Sequence, residues 1–397
     1  MSVQRSLIAP TAHPRLEEAL RLKLYRRAET AGSLGELEPL AIRLGLIQNT
    51  LKPRLRSPHL VVFAGDHGVV VDGLNKRGDS TLTQVKHLLE GRLPMAVFSF
   101  IQGMGLTIVD AGLAEPMNPH PSLLQRKIAF GTRSTRVAPA MSVDQAHAAI
   151  RAGMEIADTL SGNALACAGI GVGSHESASL VISRLSGVPL GDLLTAGPQM
   201  SGEALTQSLT VLQAAQVRHQ ALTDPVEVLA AFGGFEIAML TGAMLVAASK
   251  RHLIMVDGVP ACAALLVAAR IAAPVTDYAL FCRSHGHQGL DHAMRVFQAS
   301  ALLELGMEST DGTGATLAWP LVHSAASLLT EVVDGEDSGP TQLVSTAGAL
   351  DNSQSQGAGG LTSGHVSGAA GLGAGSDSAD DALDVPRPGA SGSEALP

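Results

Sequence analysis

Four short glycine-bearing segments hold the residues whose types and spacing could do chemistry. Asp311-Gly312-Thr313-Gly314-Ala315 sets a carboxylate before bare backbone, ahead of an apolar run from Thr316 to Leu329. An acid there suits a helix cap as well as it suits a base working beside a bound phosphate. Gly169-Ile170-Gly171-Val172-Gly173-Ser174 has the spacing GxGxG, not the GxGxxG of a dinucleotide fingerprint. Its glycines fit either a tight turn or a loop whose N–H groups face a phosphate at a helix start. Gly65-Asp66-His67-Gly68 offers two potential metal ligands without a third, and His285-Gly286-His287 has the same shortfall. A structural or supporting role suits the first better, exposed loop histidines suit the second, and neither a metal nor a cofactor is expected.

These segments need elements to position them. His59-Leu-Val-Val-Phe-Ala, Leu106-Thr-Ile-Val-Asp-Ala, Ala164-Leu-Ala-Cys-Ala, His252-Leu-Ile-Met-Val and Asp277-Tyr-Ala-Leu-Phe-Cys are short apolar runs, the first four closed by glycine. Such runs read as strands buried on both faces of a parallel sheet. Helical patterns lie between them, as at Ser142 to Leu160 and Ala261 to Ala272, and residues 14–50 read as an N-terminal helical segment. The alternation predicts an α/β fold, a doubly wound and mostly parallel sheet with helices on both faces, and ligands bound at the carboxyl ends of its strands. Asp224-Pro225 opens a helix with a capping carboxylate and a proline whose φ is already helical. Gly233-Gly234 breaks it, and Phe235-Glu236 begins a second, apolar helix. A break of that kind lets bare backbone come close to another surface.

Charge narrows the class of function. Nine of the 36 acids but only one of the 27 bases, Arg387, lie from Asp334 onward, so the body carries 26 bases against 27 acids. A nearly neutral body with 3% aromatic residues has neither the basic field nor the stacking surface of a nucleic-acid binder. Cys167, Cys262 and Cys282 are widely separated, which fits reduced, buried thiols and a cytoplasmic setting. No apolar stretch is free enough of charge to span a membrane. The body is expected over residues 1–336. Residues 337–397, rich in Gly, Ser, Ala and Asp, are expected to form a disordered acidic tail.

The ordered motifs resemble those of the nicotinate-nucleotide–dimethylbenzimidazole phosphoribosyltransferase family, over about two-thirds of the chain. They are Val61-Val-Phe-Ala-Gly-Asp-His-Gly-Val69, Arg126-Lys-Ile-Ala-Phe-Gly-Thr-Arg133, Asp224 to Leu240, Val256-Asp-Gly258, Leu305-Gly306 and Asp311-Gly-Thr-Gly-Ala315. The resemblance implies a doubly wound domain, a small helical domain built from both chain ends, and a homodimer. It implies a pentosyltransferase that moves the phosphoribosyl group of nicotinate mononucleotide onto dimethylbenzimidazole or a related base, for the lower loop of cobalamin. The base would attack C1′ with inversion, nicotinate would leave without a general acid, and one carboxylate would take the azole proton. The family's glutamate for that task aligns with Asp311. Ser80, Gln84, Gly171, Gly173, Ser174, Glu176, Gly312, Thr313 and Gly314 are then implied to contact substrate. Gly169, Ser174, His175-Glu176 and Ser208 stand where the family has Glu, Asn, Thr-Thr and Lys, which leaves backbone donors, with Arg133 or Arg283 beside them, to hold the donor phosphate. A relative that binds a nucleotide, an aromatic base or a partner enzyme without catalysis is the alternative.

Overall fold

In the computed structural model, which describes residues 8–332 except 75–78, 195–201, 284–287 and 308, all five expected apolar runs pair as strands. The His285-Gly286-His287 pair and the tail from 337 lie outside the described residues. The strands are β1 (His59–Gly65), β2 (Gly105–Gly112), β3 (Leu123–Gln125), β4 (Ala164–Ile170), β5 (Leu253–Val256) and β6 (Ala279–Phe281). Their spatial order is β3-β2-β1-β4-β5-β6 and every pairing is parallel. The run β1 to β3 builds outward one way and β4 to β6 the other, so the order reverses between β1 and β4. A crevice opens at such a point, beyond the carboxyl ends of the strands. β3 was not foreseen: it is three residues on a sheet edge, two of them exposed, and no periodicity shows in three residues.

Between strands run α3 (Thr81–Leu89), α4 (Pro94–Ile101), α5 (Val143–Thr159), α6 (Ser174–Ser186), α7 (Leu190–Leu194), α8 (Gly202–Arg218), α9 (Pro225–Phe232), α10 (Phe235–Ser249) and α11 (Val259–Ile271). α1 (Pro14–Ala31) and α2 (Leu37–Gln48) precede the sheet, and α12 (Gln288–Arg295) and α13 (Thr313–Leu328) follow it. Successive strand residues point to opposite faces, and Ala168 and Gly169 report what covers each. The Ala168 methyl faces Gly312 at the start of α13, whereas a Cβ on Gly169 would meet Pro260, Leu240 and Glu236 of α11 and α10. The sheet is thus covered on both faces. α2 packs on both α1 and α13, and the Arg27 guanidinium of α1 donates to the Leu328 carbonyl, so helices from both ends of the described chain come together.

Asp224 caps α9 as expected, its Oδ1 accepting from the N–H groups of Val226 at 2.9 Å and Glu227 at 3.0 Å. α10 is buried almost all round, as an apolar helix with no polar face must be. It lies against α5 backbone to backbone: a Cβ on Gly153 would strike the Met239 carbonyl, and one on Gly242 the Ile150 carbonyl. The three cysteines are free and buried, and burial pushes the Cys167 thiol up to about 12.

Alanine at Gly153 or Gly242 gains about 1 kcal/mol of helix propensity but collides with main chain that cannot turn aside. Overpacking costs about 1–3 kcal/mol, so the clash dominates. Either substitution should lower the urea midpoint, and an unchanged midpoint would show that the two helices can slide apart freely.

Candidate active site

The crevice between β1 and β4 is framed by the Gly65-Asp66-His67-Gly68 loop that follows β1. Asp66, directly after β1, accepts from the Ala114 N–H at 2.8 Å and from the Thr81 hydroxyl. The Thr81 oxygen in turn accepts from the Val172 N–H at 2.9 Å. One carboxylate and one hydroxyl therefore join the ends of β1, β2 and β4 to the first turn of α3. The cleft they border has a volume of about 570 Å³. Its described lining mixes the acids Asp66, Asp79 and Glu115 with Val70, Leu82 and the ring of Phe130, and holds no lysine or arginine. Lys127 sits on the Phe130 ring, its Nζ 4.4 Å from the ring centre. Apolar walls, an aromatic ring and carboxylates suit a flat heteroaromatic base better than a phosphate.

Behind the cleft lies a buried charge. Glu236, in the first turn of α10, has no accessible surface, and its Oε1 accepts from Ser174 Oγ at 2.8 Å and pairs with His67 Nε2 at 2.7 Å. Burial alone would lower the His67 pKa, but the charge and hydrogen bond of Glu236, with Asp66 and Glu176 adding, raise it overall. The Gly233-Gly234 break makes this contact possible: a Cβ on Gly234 would collide with both the Glu236 carboxylate and the His67 ring. Gly171 serves the same end, since its Cα lies against the Gly65 carbonyl, and Gly173 takes φ +85° to start α6.

A second polar cluster sits at the end of β5. Asp257 is 1% exposed, and its Oδ2 accepts from the N–H groups of Gly312 at 2.7 Å, Gly314 at 2.7 Å and Ala315 at 3.2 Å. The cap of α13 is therefore Asp257, reaching across from another strand, and not Asp311, whose neighbour Gly312 is the N-cap at φ +96°. Asp257 Oδ1 accepts from Arg283 Nε at 2.6 Å, while Arg283 Nη2 donates to Asp311 Oδ1 at 3.0 Å. Arg283 also donates to the carbonyls of Met307 at 3.3 Å and Ser309 at 3.1 Å. Desolvation raises the Asp311 carboxyl to about 7, Arg283 opposing and Asp257 assisting. Gly258, at φ +99°, leaves the space in which the Asp311 carboxylate lies.

Of the residues singled out in the sequence, Ser80 borders the cleft and caps α3, accepting from the Thr83 N–H at 3.2 Å. Gln84 donates to the Asp79 carbonyl at 3.0 Å on the same helix start. Ser174 faces inward to Glu236, and Glu176 lies half-buried in the first turn of α6. The N–H groups of Gly312 and Gly314 are taken by Asp257, and Thr313 is buried with its hydroxyl unpartnered. Asp311 does not border the described cleft. Ser208 lies on the buried face of α8, and Arg283 is occupied by two carboxylates and two carbonyls rather than facing open space for a phosphate. The sequence reading passed over Glu236, Asp257 and Phe130 as site residues. The available signals were a lone acid in an apolar helix and an acid between a strand and a glycine.

Because the His67 pKa is raised, its pairing with Glu236 contributes fully below about pH 6.5 and is lost as pH climbs through the folded-state value. Glu236→Gln should cost about 3 kcal/mol at pH 6, and its melting temperature should fall less than that of the wild type between pH 6 and 9. Parallel pH profiles would show that the pair is not ionised in the native protein.

A phosphoribosyltransferase family model matches residues 9–339. Nicotinate-nucleotide–dimethylbenzimidazole phosphoribosyltransferase of Cupriavidus taiwanensis is 40% identical over 342 residues, 84% of this chain and 98% of that protein. The protein of the same name from Cupriavidus necator is 40% identical over 340 residues, 84% of this chain and 97% of that one. The crystal structure of the enzyme of that name from Thermus thermophilus superposes with a TM-score of 0.75 at 28% identity, covering 80% of this chain and 96% of that one. With a family model matched over most of its length, relatives at 40% identity covered almost end to end and a solved structure that superposes over 80% of it, the chain belongs to the nicotinate-nucleotide–dimethylbenzimidazole phosphoribosyltransferase family.

Proposed function

We propose that this protein transfers the phosphoribosyl group of nicotinate mononucleotide to dimethylbenzimidazole or a related base, releasing nicotinate and α-ribazole 5′-phosphate for the lower loop of cobalamin. The observation that carries this reading is Asp311: a carboxylate ahead of Gly-Thr-Gly, with a pKa of about 7, in a chain whose relatives bear that enzyme's name. One azole nitrogen bonds to C1′ as the C1′–N bond to nicotinate breaks and its electron pair returns to the pyridine ring. The proton on the other azole nitrogen passes to Asp311. A base with a pKa near the working pH is ionised often enough to accept it and basic enough to hold it.

The cleft supports the placing of an aromatic group beside Phe130. Asp66 follows β1 and Asp257 follows β5, two strand spacings or about 10 Å apart, a span that a nucleotide and a base can bridge. Three free, buried thiols support a cytoplasmic setting. No helix among the described residues is long and apolar enough to cross a membrane. A homodimer is supported by the outer face of α4, where Val97, Phe100 and Ile101 are exposed while the polar Ser99 is buried. The non-catalytic reading draws on Gly169 and Ser208, neither of which offers a charged group to substrate.

The two readings separate in one assay of α-ribazole phosphate formation by chromatography. The wild type should turn over, Asp311→Asn should lose about 10²–10⁴-fold in kcat, and Phe130→Ala should raise KM for the base roughly 2–10-fold with little change in kcat. Binding of both substrates without product at any pH would establish the non-catalytic reading.

A further inference from the structure

Two carboxylates share the Arg283 guanidinium, and their surroundings give them different capacities. Asp257 has almost no exposure and both of its oxygens are filled, one by Arg283 Nε and the other by three main-chain N–H groups. Buried in this way, it presents no accessible oxygen to a ligand. Asp311 has a side chain 23% exposed, and only its Oδ1 is engaged, by Arg283 Nη2. Among the described residues nothing donates to its Oδ2. Arg283 cannot swing away from this arrangement, because Nε is held by Asp257 and the two terminal nitrogens also reach the Met307 and Ser309 carbonyls. A planar guanidinium held at several points presents a fixed donor, which an ammonium on a flexible stem does not.

We propose that Arg283 is a positioning residue for the base: anchored by Asp257, it fixes Oδ1 of Asp311 and so leaves Oδ2 as the one oxygen turned to the incoming azole. This inference rests on the assignment of Asp311 as base and adds the group that makes it usable. Without the guanidinium, Asp311 would face Asp257 alone in a desolvated site. Like charges so close favour the protonated acid, which accepts nothing at neutral pH. The other groups facing Asp311 do not replace that charge. The Cys262 thiol on α11 is kept neutral by burial and by the two carboxylates, and the first N–H groups of α13 point to Asp257. His285, His287 and Glu308 lie outside the described residues.

The test is the pH dependence of kcat/KM for the full chain and for Arg283→Gln, Arg283→Lys and Asp311→Asn, with folding of each checked by its melting curve. In the wild type the acid limb should rise through a midpoint near pH 7. In Arg283→Gln the midpoint should move up by about 1–3 pH units, which lowers kcat/KM at pH 7 about fivefold or more. Arg283→Lys keeps the charge but cannot grip both carboxylates, so its midpoint should fall between the other two with a lower plateau. A merely structural role would lower the plateau and leave the midpoint in place. If Arg283→Gln does not fold, Arg283→Lys decides alone: a midpoint and plateau like the wild type's overturn the proposal. An inactive Asp311→Asn beside unmoved Arg283 midpoints sinks this inference and leaves the base assignment standing. An Asp311→Asn variant as active as wild type sinks both.

Discussion

A carboxylate with no access to water sits at the point where the strand order reverses, and the geometry of the crevice follows from accommodating it. An unpaired charge in that position would cost several kcal/mol. Glu236 is answered by His67 and Ser174, and these are the residues that leave β1 and enter α6. The pairing therefore holds both lips of the crevice from beneath. The glycines at 65, 171 and 234 stand where a side chain would displace the carboxylate or its supporting backbone. With His67 fixed, Asp66 is delivered to Thr81 and Ala114, and the wall of the cleft takes shape.

The second polar cluster works on a different plan. Asp257 and Asp311 flank one guanidinium, yet Asp257 is buried and accepts also from three main-chain N–H groups, whereas Asp311, among the described residues, accepts from the arginine alone and has a raised pKa. The two carboxylates thus differ in burial and in the number of donors that hold them. Asp257 stabilises the positive end of α13 and orients the arginine, while Asp311 keeps a partly exposed side chain beside the same guanidinium.

Features that depend on neighbours in sequence were legible before the fold was seen. Apolar runs, most of them closed by glycine, marked five strands, and the carboxylate of Asp224 capped α9 two and three residues on, as its spacing implied. Contacts made at long range were not. Asp257 caps α13 from 55 residues away, so the acid nearest that helix in sequence, Asp311, looked equally like its cap. Glu236 meets His67 across 169 residues, and a lone acid in an apolar helix reads only as an anomaly. The glycine loop at 169–173 was ambiguous for a related reason. Gly171 and Gly173 answer to backbone and side chains packed against them rather than to a pattern of their own. The family's motifs located Asp311, but which donors were already engaged around it depended on Asp257 and Arg283.

The central pair of the sheet, β1 with β4, joins segments about a hundred residues apart, and α2 packs against α13, the last helix described. At synthesis rates of roughly 5–20 residues per second, β1 waits on the order of 5–20 s for its inner neighbour to be made. α2 waits longer still for the helix that covers it. During that interval β2 and α3 can cover part of β1 and α1 part of α2, but α10 and α13, which pack on them in the fold, are still to be made. An arrangement that joins distant segments at its centre thus leaves apolar surface in its N-terminal third uncovered until late in synthesis, the kind of exposure that favours aggregation.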